Sequence, residues 1–345
     1  MTAADRRRLV LVVGVGRSGT SLLTGVLGEL GFHIPQPEVE ADDTNPRGFS
    51  EPRWVVDFHT RLLQARKVTV NDSRPAGWDT TFAAADDEAV RAEVREWLAS
   101  QLRQGEAIVV KDPRTVWFLP LWQRCAEELG VAPSFVTMLR HPAEILRSAV
   151  KSYGTWQTEA SRAAAWLNVA VETERVTRGD RRAFVRHADL LADWRREIDR
   201  VGALLDLPLL TGGIAPERAS AVDAFVDPGL HRNRAQWSDL DVPAPLEALA
   251  ERAWRELQPL ADPGGDTAGV QDALDATRAE FRQLYAEAEA IAQSSVTAAK
   301  RAGGGPRRPK APSRPPTLRV RVARRIPRRY RRRLRRLVAA LGRSS

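Results

Sequence analysis

The chain of 345 residues has one cysteine, Cys125, and no apolar run approaching 18 residues. A single cysteine excludes an intramolecular disulfide framework and a thiolate-based zinc site, and it points to a reducing compartment. Cys125 itself reads as a small buried hydrophobe on a helix. Without a long apolar run, a membrane-spanning helix is not expected. The first apolar stretch, Leu9 to Val13, meets Gly14 and Gly16 at once. It is too short for the apolar core of a secretion signal, so a cytoplasmic protein is expected. Acidic residues are missing from Lys300 to Ser345, a segment that holds 18 of the 53 Lys and Arg; the other 35 face all 44 Asp and Glu. The net charge of +9 therefore divides into an acidic body and a strongly basic tail. Arginine far outnumbers lysine and alanine is abundant, which is also the mark of a biased genomic base composition.

What is present is a body that is 43% hydrophobic and alternates strand-like with helix-like segments. The Val-rich run Leu9 to Val13 ends in glycine, as a buried parallel strand does. Leu22, Leu23, Val26, Leu27 and Leu30 then follow at helical spacing. Further buried strands are expected at Ala107 to Val110, Ser134 to Leu139 and Ala183 to Arg186. Helices are expected at 54–63, 86–102, 119–129, 143–150, 159–177, 190–205 and 246–257, with a longer one bearing Leu274, Phe281, Leu284 and Ile291. Asp189 is expected as a helix N-cap. The pattern predicts an α/β fold with a P-loop-type parallel sheet flanked by helices, C-terminal helical additions and a basic tail. The expected divisions are a domain at 1–265, a helical extension at 266–299 and a basic linker with an amphipathic helix at 300–345. In that last helix Ile326, Tyr330, Leu334, Leu337, Val338 and Leu341 share a face among arginines. The segment 318–341 is read as lying on an anionic membrane surface at its cytoplasmic face, ahead of binding an acidic polymer or carrying no function. Nucleic acid is not an expected partner.

The first chemical motif is Gly14-Val15-Gly16-Arg17-Ser18-Gly19-Thr20-Ser21, between a strand and a helix. Backbone N–H groups and a helix N-terminus there can cradle an anion. The spacing is that of a Walker A loop, but Thr20 stands where the lysine that reaches a triphosphate belongs, and Arg17 supplies the nearest cation. A second motif places Arg140 at a strand's carboxyl end and Ser148 two turns into the following helix. An arginine fork with a hydroxyl suits a phosphate monoester. A third, Val109-Val110-Lys111-Asp112-Pro113-Arg114, puts Lys111 at a strand end. The same segment can be read as a Walker B strand with Asp112 on Mg²⁺.

Arg17-Ser18-Gly19-Thr20-Ser21 resembles the 5′-phosphosulfate loop of sulfotransferases that use 3′-phosphoadenosine 5′-phosphosulfate (PAPS), which reads Lys/Arg-Ser-Gly-Thr-Thr/Ser. Arg140 and Ser148 match the pair that holds the donor's 3′-phosphate in that family. Phe184 to Leu191 followed by Leu204-Leu205-Asp206-Leu207-Pro208 is similar to a structural segment of the family. Lys111-Asp112-Pro113 resembles the tyrosylprotein and bacterial carbohydrate branches. Asn45-Pro46-Arg47-Gly48-Phe49-Ser50-Glu51 is similar to a segment of bacterial members. The resemblance covers roughly Leu9 to Pro208. It implies sulfuryl transfer from PAPS to a hydroxyl or amine acceptor, such as a carbohydrate or glycolipid, with no metal. Arg17, Ser18, Gly19, Thr20 and Ser21 would hold the phosphosulfate, and Lys111 would stabilise the transition state. Glu51 would be the base, among the candidates His33, Glu38, Glu40 and His59. The segment Phe225 to Arg234 is similar to one that lies over the nucleotide, which implies Arg232 or Arg234 as a further 3′-phosphate contact. Two alternatives stay open: a P-loop kinase using Mg-ATP, and a non-catalytic, membrane-tethered nucleotide-binding protein.

Overall fold

The computed structural model describes residues 7–42, 45, 47–153, 157–227, 229 and 235–301, with backbone alone for 151–153. Arg232, Arg234 and the basic segment 318–341 lie outside the described residues. The chain divides into two compact units, Met1–Ile291 and Ala292–Ser345.

In chain order the elements are β1 (Arg8–Val13), α1 (Thr20–Glu29), α2 (Arg53–Ala65), α3 (Gly77–Phe82), α4 (Glu88–Gln101), β2 (Ala107–Lys111), α5 (Leu119–Glu128), β3 (Pro133–Leu139) and α6 (Pro142–Tyr153). There follow α7 (Glu159–Val176), β4 (Arg181–Arg186), α8 (His187–Ala192), α9 (Trp194–Leu205), α10 (Pro208–Thr211), α11 (Pro216–Phe225), α12 (Ala244–Leu257) and α13 (Ala268–Arg301). The four strands form one parallel sheet in the order β2-β1-β3-β4. A parallel sheet of this kind must be covered on both faces, and β1 shows how. Leu9, Leu11 and Val13 join Phe58, Trp117 and Trp122 on one side. Val10 and Val12 meet Leu23, Val26, Leu27 and Ile198 on the other. Every residue from Leu9 to Val13 is buried, which is why this stretch is apolar without alternation.

The topology fixes where a ligand can sit. β1 is flanked by β2 on one side and β3 on the other, so the connections leaving their carboxyl ends diverge and open a crevice. Register places Val12 beside Lys111 and Val13 beside Thr137, which brings the ends of all three strands to that crevice.

Two expectations from sequence need correction. The helix expected over 190–205 is two helices, broken at Asp193, whose side chain caps α9 by accepting from the Arg196 N–H. Asp189 is therefore not an N-cap; it sits inside the first turn of α8, paired with Arg186 at 3.1 Å. Leu274 and Phe281 of α13 pack into a cluster with Trp166 and Leu167 of α7 and Leu249 and Ala253 of α12. Cys125 is buried on α5, and burial pushes its thiol up to about 11. No helix among the described residues is long and apolar enough to cross a membrane.

Candidate active site

The loop between β1 and α1 closes on itself before the helix starts. Ser18 N–H donates to the Val15 carbonyl at 3.1 Å, and Arg17 takes a positive φ of 75°. That conformation is uncommon outside glycine and marks a backbone held by its surroundings. Gly19 is the N-cap of α1 at φ 102°, and a Cβ there would lie 2.4 Å from the His187 ring. No side chain caps the helix, so the N–H groups of Thr20, Ser21 and Leu22 have no intrahelical acceptor and converge on the crevice. These backbone donors make an anion cradle. The Ser18 hydroxyl has no partner among the described residues, but it borders a small void with Gly14 and Thr137 and does not line the crevice.

Arg140, at the end of β3, leans over the same loop. Its Nη1 donates to the Arg17 carbonyl at 3.3 Å, and its Nε meets Glu144 at 2.8 Å. Its Nη2 is buried and makes no hydrogen bond among the described residues. Arg17 turns its Nε to Ser148 Oγ on α6, at 3.1 Å. Thus the two arginines and the serine singled out from sequence stand together, with donor capacity left over on Arg140. Buried polar groups in folded proteins are usually satisfied, so an orphaned guanidinium nitrogen beside an anion cradle fits a phosphate-bearing ligand.

Lys111 lies at the end of β2, only 2% exposed. Its Nζ donates to Ser21 Oγ (3.0 Å), to the Phe49 carbonyl (3.1 Å) and to Glu51 Oε1 (2.6 Å). An ammonium has three hydrogens, and these contacts use all three. Glu51 enters from the loop before α2, whose path is fixed by the Val39 N–H on the Glu51 carbonyl and the Arg53 N–H on the Pro37 carbonyl. Burial pushes the Glu51 carboxyl above its ordinary value, and the Asp112 charge adds to this. Lys111 opposes both.

Two cavities meet here. One, of about 180 Å³, is lined by Gly16, Arg17 and Gly19 to Leu22, with Lys111, Arg140, Ser148 and His187. The other, of about 410 Å³, runs between α2, α6 and α7. Glu51 belongs to the wall of both, along with Gly16, Arg17, Phe49 and Pro113. Of these five, Glu51 alone carries a group that can accept a proton at neutral pH. Among the other base candidates, Glu40 lines only the larger cavity. Glu38 accepts from Gln36, and His33 pairs its backbone with β2 and its Nε2 with Gln101.

His59 and Asp112 form a separate buried unit beneath the site. Trp122 Nε1 donates to His59 Nε2 at 2.9 Å, so the proton sits on Nδ1 and is donated to Asp112 Oδ2 at 2.8 Å. The other carboxylate oxygen accepts from the Arg114 backbone N–H and Nη1. Both residues are fully buried, and neither lines the described cavities. This corrects two sequence readings: His59 is not poised as a base, and Asp112 is not a metal-facing Walker B carboxylate. Burial holds His59 below its ordinary 6.5, against the pull of Asp112. Burial alone would raise Asp112, but the His59 hydrogen bond and Arg114 outweigh it and keep the carboxyl low.

The unfolded chain binds a proton at His59 below pH 6.5 that the folded chain refuses, so this contribution is complete above 6.5 and lost as pH falls below it. The slope is about 1.4 kcal/mol per pH unit for one proton. His59→Gln keeps a donor and an acceptor but does not titrate. Melting temperatures at pH 7.5 and 5.0 are expected to fall less in the variant than in the wild type. Equal falls would mean that His59 is not the group responsible.

Comparison with known proteins places the chain. The profile described as the sulfotransferase family matches residues 10–211. Among solved structures, the sulfotransferase domain from the Synechococcus PCC 7002 olefin synthase aligns at 17% identity and a TM-score of 0.42, covering 72% of this chain and 94% of that one. The sulfotransferase domain from the curacin biosynthetic pathway aligns at 17% identity and a TM-score of 0.41, covering 73% and 97%. No curated protein matches. The profile match takes in more than half of the sequence, from β1 through the loop, Lys111, Arg140 and Ser148 to α10, and on that ground the chain belongs to the sulfotransferase family.

Proposed function

We propose that this protein transfers a sulfuryl group from PAPS to a hydroxyl or amine acceptor, with the donor's charged end in the smaller cavity and the acceptor in the larger one. The observation that carries the reading is Glu51, on the wall of both cavities, paired with Lys111 on the wall of the smaller one. In this reading Arg17, Ser18, Gly19, Thr20 and Ser21 hold the phosphosulfate, and Arg140 and Ser148 hold the 3′-phosphate.

The acceptor oxygen attacks sulfur in line while the bond from sulfur to the bridging oxygen breaks. Glu51 takes the acceptor's proton. The leaving group is adenosine 3′,5′-bisphosphate, and negative charge grows on its former bridging oxygen. Positioned cations and backbone N–H groups stabilise such charge without reorganising. Lys111 has no spare hydrogen in the resting site, because Ser21, Phe49 and Glu51 use all three. Protonation of Glu51 cancels the charge that binds Lys111 and frees one donor as charge grows on the bridging oxygen. Proton removal and leaving-group stabilisation are thereby coupled through one ion pair. No step calls for a metal. We place this chemistry in the cytoplasm, with the basic segment 318–341 resting on an anionic membrane surface.

The test is the pH dependence of turnover with ³⁵S-labelled PAPS and 4-methylphenol. Because burial raises the Glu51 carboxyl, kcat/KM rises with pH through a midpoint above the ordinary 4.5. Glu51→Gln removes that limb and lowers the rate by about 10²-fold, the scale of a lost general base. An unchanged acid limb in the variant would assign the base elsewhere.

A further inference from the structure

Beside the anion loop lies a much smaller void, of about 20 Å³, bordered by Gly14, Ser18, Thr137, Trp166, Ala170 and Thr173. Positions 166, 170 and 173 fall on one face of α7, because residues three and four apart share a face. Thr137 alternates along β3 with Val136 and Met138, which pack on the other side of the sheet with Leu23 and Leu27. The void therefore sits where the start of the loop, the end of β3 and the middle of α7 come together.

Among the described residues four buried hydroxyls have no hydrogen-bond partner, those of Ser18, Thr115, Thr137 and Thr173. All but Thr115 border this one void. Ser18, Thr137 and Thr173 are 1%, 5% and 1% exposed. The Ser18 hydroxyl reaches back toward the start of the loop, where a Cβ on Gly14 would lie 3.2 Å from it. Ile145, Ala170 and Leu257 make the neighbouring wall apolar. Burying a hydroxyl in such a place is costly unless it is hydrogen-bonded, and folded proteins satisfy these groups with protein or with ordered water. Valine would give the shape of Thr137 and Thr173 without that cost, so the convergence of hydroxyls fits a polar occupant. The void has room for one water molecule, which needs about 10–15 Å³ and typically makes about three hydrogen bonds.

We propose that one buried water joins the hydroxyls of Ser18, Thr137 and Thr173, and that it makes Thr173 a positioning residue for the anion loop. Each hydroxyl can donate and accept, so together they can meet both hydrogens and a lone pair of the water. Thr173 does not line the crevice, and it acts there only through Ser18. Arg140 borders both the void and the crevice, which sets the water beside the far wall of the anion site as well. The loop would then be tied to α7 by a bridge that no direct contact supplies.

A crystal structure of the full chain is expected to show one solvent peak within hydrogen-bond distance of all three hydroxyls, and Thr173→Val to lose it. Thr173→Val is expected to lower the melting temperature by about 2 °C, as the loss of one hydrogen bond would in a chain of this size, and Thr173→Ser to restore most of it. Ser18→Ala combined with Thr173→Val is expected to cost less than the two single losses summed, because both act on one water. In Thr173→Val, adenosine 3′,5′-bisphosphate and AMP are expected to weaken alike, by about fivefold, since the bridge supports the loop and not the 3′-phosphate contact. A higher melting temperature with valine, as relief of an unsatisfied hydroxyl would give, additive losses, or no solvent peak would overturn the water. Unchanged affinity for both nucleotides would overturn the positioning role. A wild-type protein that bound neither nucleotide would remove the donor reading alone, with the density and the melting cycle still deciding the water.

Discussion

Lys111→Met is expected to lower kcat by about 10³-fold, toward the upper end of what one preorganised donor at a developing charge contributes. Methionine keeps the length of the buried stem, so the end of β2 stays packed. What disappears is the ammonium that Ser21, Phe49 and Glu51 surround. Glu51 then stays buried beside Asp112 without its cation, and both causes push its carboxyl further up, which shrinks the ionised share that can take a proton. One substitution thus disables two steps. Combined with Glu51→Gln, the loss is expected to match that of Lys111→Met alone, because residues that act as a unit are not additive. Single-turnover measurement of ³⁵S transfer in the four proteins of this cycle checks it. Losses that multiply would show that the two residues act independently.

Arg140→Ala is expected to weaken adenosine 3′,5′-bisphosphate by about 100-fold, in line with the loss of charge-assisted hydrogen bonds at a buried site. AMP, which lacks the 3′-phosphate, should lose far less. The comparison matters because Arg140 also supports the Arg17 carbonyl and pairs with Glu144. General loosening of the loop would weaken both ligands alike. Ser148→Ala removes one hydroxyl contact and is expected to cost the bisphosphate about tenfold, roughly a single neutral hydrogen bond.

The parts of this site that are local in sequence were legible. The anion loop is eight consecutive residues between a strand and a helix, and both flanking elements announce themselves by burial: β1 as an unbroken apolar run, α1 by its period. Strands β2, β3 and β4 were visible for the same reason, and each expected stretch lies within the observed strand. Short elements were not. The six residues of α3 hold too few turns for a period to show, and α11 buries only Val222. Either Asp189 or Asp193 could cap a helix; what chose Asp193 was the break that carries α9 onto the sheet.

Sequence motifs named Lys111 and Glu51 singly, but their contact joins positions 60 apart and depends on how the loop before α2 folds back. The same holds for His59 and Asp112, which read as a base candidate and a metal-facing carboxylate until packing joined them with Trp122. The larger cavity gave no signal at all. Val56, Val70 and Trp166 are ordinary apolar residues of the pattern, and Arg162 was one arginine among many in an arginine-rich chain. Only the spacing of α2, α6 and α7 makes them a wall.

In the proposed function the smaller cavity takes a nucleotide carrying a 3′-phosphate. Calorimetric titration of the wild-type protein with adenosine 3′,5′-bisphosphate, AMP and Mg-ATP tests it most directly, with Arg140→Ala alongside. Bisphosphate binding about 100-fold tighter than AMP and Mg-ATP, lost in the variant, is the predicted result, the factor being that expected for a phosphate held by charge-assisted bonds. Equal affinity for AMP and the bisphosphate, or preference for Mg-ATP, would contradict it.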